Sequence, residues 1–124
     1  MNVVESARSV AGDSLRSVAE YRESEYALYF VREDIDQKNL NVDKIHQNLV
    51  LDGISREFLE ELFVAGDLQC TMHQFDDALM FHFAFPENAG LFVSVDADGT
   101  VALRELVDVC NAWYERGREE STFD

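Results

Sequence analysis

Two carboxylates one residue apart, Asp96 and Asp98, close an apolar run and precede a glycine in Val93–Val101, VSVDADGTV. Aspartates so spaced could serve two kinds of chemistry. One carboxylate can attack phosphorus while the other moves a proton and magnesium balances the charge. Alternatively, oxygens at two-residue steps can close around calcium, with Glu105 as the bidentate ligand. The same residues also make a plain corner. Asp-Gly favours a tight turn, Gly99 permits a positive φ, and an acidic side chain ahead of a helix caps free N–H groups at the positive end of the dipole. A strand-to-helix corner is the expectation adopted. A second cluster comes from His73 and His82. With Asp76-Asp77 as a two-residue turn, they lie diagonally across adjacent strands, about 7 Å apart, with Asp96 near the end of the next strand. A transition metal could be held there. No HxH or CxxC spacing supports it, and the cysteines face the other way, so a packed or surface histidine pair is expected. His46, beside Ile45, is expected on a solvent-exposed helical face.

Leu91–Thr100, a hydrophobic strand ending in DxDGT, resembles the nucleophile motif of haloacid-dehalogenase-type phosphatases. The resemblance implies Asp96 as nucleophile and Asp98 as acid/base. In that superfamily a Ser/Thr, a Lys and an acidic pair follow the motif on a parallel sheet, whereas Val101–Asp124 contain no lysine. Extended to Glu105, the stretch is similar to an EF-hand loop, with Gly99 at the turn glycine and Val101 at the hydrophobic position. There Ser94 stands where the first Asp belongs, and GLFVS ahead of it is strand-like rather than helical. No catalytic residue, cofactor or metal is therefore expected, and no GxSxG, P-loop or GxGxxG occurs.

Charge carries more information than any motif. Asp and Glu number 25 against 10 Lys and Arg, a formal net charge of -15. A small domain ordinarily carries about 2 to 8 charges, because self-repulsion opposes the compact state. In molar salt the Debye length falls to about 3 Å and that repulsion largely vanishes. The composition thus resembles the proteins of salt-in halophilic archaea, and stretches such as GREESTFD and DGISREFLEELF look like a small haloarchaeal protein of an uncharacterised family. The acids are spread along the chain, unlike a concentrated decoy for a basic partner. Clustered Lys and Arg are missing, which argues against nucleic-acid binding. No apolar run approaches the roughly 18 residues of a membrane span. Cys70 and Cys110 fall in phase with apolar neighbours, as buried free thiols in a reducing cytoplasm would.

The elements that must position these residues follow from periodicity. Val3, Val4, Ala7, Val10 and Ala11 have helical spacing, ended by Gly12. Leu15–Tyr21 and Tyr26–Arg32 form a hairpin around a polar turn. Val42, Ile45, Leu49 and Val50 share a helical face closed by Gly53, and Ser55 caps a short helix with Phe58, Leu59, Leu62 and Phe63, ended by Gly66. Three strands follow, on which Leu68, Cys70, Met72, Leu79, Phe81, Phe83, Phe85, Leu91, Val93 and Val95 face one way. The opposite, mixed face is expected to be covered in part by helix. Leu103, Leu106, Val107, Cys110, Trp113 and Tyr114 mark a final amphipathic helix ending near Gly117.

The expected fold is a single α+β domain over residues 1–117, a five-stranded antiparallel sheet with helices in the order α-ββ-αα-βββ-α, and a frayed tail at 118–124. That order resembles Roadblock/LC7 and profilin-like modules. The resemblance implies a non-enzymatic adaptor that dimerises and docks on partner proteins, often around GTPases or motor machinery. A homodimer is expected through a sheet edge or the helical segment Val42–Phe63, because YALYFVR and LQCTMHQF contain no proline and little charge. The alternative is a small-molecule sensor resembling PAS or GAF domains, with ligand between sheet and helix.

Overall fold

A computed structural model describes residues 1–35 and 42–123, without the side chains of residues 42, 43 and 52–54. The first helix, α1 (Val3–Ala11), begins at a capping box: Asn2 Oδ1 accepts from the Glu5 N–H while the Glu5 carboxylate accepts from the Asn2 N–H. Two N–H groups that would otherwise lack partners are thereby served. A 3₁₀ turn at Gly12–Ser14 leads into β1 (Leu15–Arg22) and β2 (Glu25–Val31). Two helices, α2 (Val42–Ile54) and α3 (Arg56–Phe63), precede β3 (Thr71–Gln74), β4 (Ala78–Phe85) and β5 (Ala89–Asp96), and α4 (Leu103–Glu115) closes the order.

The five strands form one sheet in the order β2-β1-β5-β4-β3, and every neighbouring pair is antiparallel. The expected register is present. Leu79 pairs with Val95, Phe81 with Val93 and Phe83 with Leu91, so the aromatic stripe of β4 meets the aliphatic stripe of β5 on one face. There α1 contributes Val3, Ala7 and Ala11, α4 contributes Leu106, Cys110 and Trp113, and all are buried with the sheet residues in one core. Phe85 stacks on Tyr114, ring centroids 4.0 Å apart, at the far end of that core. The other face carries α2, which packs over β4 and β5.

Several boundaries differ from expectation for identifiable reasons. Helix α2 runs through Gly53 to Ile54, and α3 ends at Phe63, where the next residue, Val64, itself adopts the left-handed φ of 50° ahead of Gly66. The Ser55 side chain makes no capping hydrogen bond to α3. Strand β3 begins at Thr71 because the Leu68 N–H donates to the Glu60 carboxylate at 2.6 Å, which commits that backbone to α3 instead of a ladder. Val42, expected beside Ile45 and Leu49, has its side chain outside the described residues.

The segment expected to fray is docked on the sheet. Arg118 Nη1 lies 3.0 Å from Glu20 Oε2, Ser121 Oγ donates to Glu20 Oε1 at 2.7 Å, and the Thr122 N–H donates to Tyr29 Oη. Tyr29 in turn donates to Glu20. A fully buried carboxylate on β1 needs such partners, and the segment after α4 supplies two of the three. Residue 124 lies outside the described set.

Candidate functional site

The corner after β5 is held by arginines. Asp96 Oδ2 accepts from Arg32 Nη1 at 2.7 Å, and Oδ1 accepts from Arg32 Nη2 at 2.9 Å and from Arg16 Nη1 at 3.2 Å. Arg32 also holds Asp34 through Nε at 2.6 Å. These guanidinium bonds, Arg32 first, keep the Asp96 carboxyl below its usual range, and the same bonds raise Arg32. Both oxygens that could attack phosphorus or ligate calcium are therefore committed to strand-end arginines. Asp98 and Glu105 are exposed.

Two details of the corner differ from the sequence reasoning. The residue ahead of α4 is Ala102, with no side-chain cap, so neither aspartate caps that helix. Gly99 does not have a positive φ; its lack of a side chain matters because a Cβ there would lie 2.5 Å from Ser14 Oγ. The corner thus rests on the 3₁₀ turn, and space rather than backbone conformation demands glycine.

The histidines are where the register places them, with different surroundings. Thr71 pairs with His82 and His73 with Met80, so the two are diagonal on the α2 face. His82 is buried, with Nε2 2.7 Å from Tyr21 Oη, which also lies 3.3 Å from the Leu49 carbonyl. One arrangement serves both contacts: His82 Nε2–H donates to the phenol oxygen, and the phenol donates to Leu49. His73 is exposed. Asp96 pairs with Ala78, four residues along from the Phe92 that faces His82, or about 13 Å at strand rise, so it does not join them. Among the described residues no group of three or more His, Cys, Asp or Glu side chains converges as a metal site. His46 is not on an open face. Its Nε2–H donates to the Glu23 carbonyl, and its ring lies against Tyr21 and Tyr26.

Beneath α2 these rings border a cavity of about 80 Å³ lined by Leu28, Val31, Ile45, Leu49, Met80 and Phe92 among others. It adjoins a more open cleft of about 530 Å³ along the same helix, bordered by Leu51, His73, Phe75 and His82 among others. The surface also offers exposed apolar side chains. Met72 and Phe75 flank the β3 edge, and Leu51 of α2 stands above it. Phe58, Leu62, Phe63 and Val64 project from α3 and its C-terminal residue. Helical spacing alone assigns the α3 residues to packing. Their exposure follows from tertiary placement: α3 is tied to the body through Arg56, on the Ala84 carbonyl, and Glu60, on the Leu68 N–H, while these apolar side chains stay open to solvent.

A five-stranded antiparallel sheet between helices, in this element order, is the Roadblock-like α+β fold. Residues 1–115 match the family described as Domain of unknown function (DUF7522), and the chain belongs to that family. A Roadblock/LC7 domain from Streptomyces avermitilis is similar in structure, with a TM-score of 0.58 at 10% identity over 94% of this chain and 98% of that one. MglC from Myxococcus xanthus aligns at a TM-score of 0.49 and 14% identity, covering 98% of this chain and 100% of that one. No curated protein matches the chain. No described helix is long and apolar enough to cross a membrane.

Proposed function

We propose that this chain is a non-enzymatic protein-interaction or regulatory module that works as a homodimer in the salt-rich cytoplasm of a halophilic archaeon. The observation that carries this reading is the β3 edge. From Leu68 to Phe75 the sequence LQCTMHQF contains no Asp, Glu, Lys or Arg in a chain with a net charge of -15. An outermost strand usually carries charge or proline to discourage pairing. Here Met72, Phe75 and the nearby Leu51 are exposed instead, so a second copy could extend the sheet antiparallel and bury them with no charged side chain inside the paired stretch.

Light scattering in about 1 M KCl, where surface charges are screened beyond about 3 Å, should give the mass of two chains. Met72→Lys combined with Phe75→Glu, at positions already open to water, should give one chain without loss of helical circular dichroism. A wild-type monomer at that salt defeats the dimer, and a variant that stays dimeric defeats this edge as the interface.

A further inference from the structure

We propose that α3 is the docking surface for a basic amphipathic helical segment of a partner protein, an inference that rests on the interaction-module reading above. Phe58 is 65% exposed, Leu62 60%, Phe63 70% and Val64 86%. Phe58 and Leu62 stand one helical turn apart, Phe63 lies about 100° further round on the same apolar side, and Val64 follows as the left-handed residue that ends the helix. Contiguous apolar surface of this kind, bordered by polar residues, marks an interaction site.

The border identifies the occupant. Within 56–67, REFLEELFVAGD, four acids face one basic residue. That residue is already engaged: Arg56 pairs with Glu60 at 3.5 Å and donates to the Ala84 carbonyl at 3.1 Å. Beside the apolar row lies an open cleft of about 410 Å³ lined by Glu57, Glu60, Glu61, Val64, Gly66 and Asp67. A guanidinium or ammonium entering that cleft would meet carboxylates while apolar neighbours from its own helix cover Phe58 and Leu62. A second copy of this chain fits poorly, because it would gather Glu57 and Glu61 of both copies, with no free cation between them in 56–67, into one interface. The α3 surface and the acid-free β3 edge thus differ in the charge they accept. Contact-range pairs lie near the short Debye length of concentrated salt, so this selectivity persists there although long-range steering does not.

The probe is a fluorescein-labelled helical peptide with Leu at i, i+3, i+4 and i+7 and Arg elsewhere. A twin with Glu for Arg and a scrambled Arg peptide serve as comparisons, and binding is read by anisotropy on the full chain in about 1 M KCl. The Arg peptide is expected to bind at least about tenfold tighter than either comparison, and Phe58→Ser with Leu62→Ser should weaken it by a similar factor. Glu57→Gln with Glu61→Gln should narrow the gap between the Arg and Glu peptides. Equal binding of the three peptides, or binding indifferent to the α3 substitutions, overturns the inference. So does a dimer that falls apart on Phe58→Ser with Phe63→Ser, since a second copy would then occupy α3. Loss of peptide binding from an intact dimer defeats this inference alone, whereas a monomer that still binds the peptide defeats only self-pairing.

Discussion

Single side chains decide how the ends of this sheet are held. Glu20 is buried and depends on Arg118, Tyr29 and Ser121. Arg118→Ala removes the cation and strands the carboxylate, which should cost about 3 kcal/mol and lower the thermal midpoint by several degrees. Glu20→Gln in the same background removes the stranded charge and should recover part of that loss; no recovery would mean that Arg118 acts through packing. Asp96 makes a pH prediction. Its carboxyl is held below the unfolded value of about 3.9, so the unfolded chain binds the extra proton first. The stabilisation is therefore complete above that pH and is lost as pH falls through the folded value. Asp96→Asn should lower stability at neutral pH by about 1 kcal/mol and flatten the decline below about pH 4, which urea melts across pH would detect. Equal losses at pH 7 and pH 3 would separate Asp96 from that titration. None of these partnerships is legible in the sequence, because Arg16, Arg32 and Asp96 are brought together only when β1 pairs with both neighbours.

At the scale of elements much more can be read in advance. Alternation from Leu79 to Phe85 and from Leu91 to Val95 restricts the pairing to registers that put both stripes on the same face, and the short turn between Phe85 and Ala89 selects the one the fold contains. Turn chemistry at Asp76-Asp77 fixes where β3 meets β4, although the start of β3 depends on Glu60 reaching Leu68, a tertiary event without local signal. Helices are less transparent than strands here. Amphipathic spacing identifies α1, α3 and α4 alike, yet only α1 and α4 bury their stripes, since periodicity says which residues share a face and not what that face meets. The corner between β5 and α4 offers a test at this scale. Gly99→Ala would force Ser14 aside and push the 3₁₀ turn away from the corner, with an expected cost of about 1 to 3 kcal/mol by thermal unfolding. Adding Ser14→Gly should restore most of it. A Gly99→Ala chain as stable as the wild type would show that the corner yields without cost.

For the whole molecule the dominant quantity is charge. A chain with 25 acids and 10 Lys and Arg should lose its helical circular dichroism on dialysis from about 1 M salt to about 10 mM, where the Debye length grows to about 30 Å. Full structure in dilute buffer would remove the basis for a salt-rich habitat. The same experiment can be timed from within the core. Cys110 is fully buried where α4 lies on the sheet, and burial pushes its thiol up to about 12. Cys70, expected buried, is only partly so, and although its thiol is also pushed up to about 12, a Cys70→Ser chain isolates the Cys110 signal. Only the thiolate reacts with an alkylating reagent, so at about pH 8 the folded protein should be nearly inert. Each lifting of the last helix would expose one nucleophile, and the labelling rate becomes a stopwatch for breathing of the hydrophobic interior as salt is withdrawn.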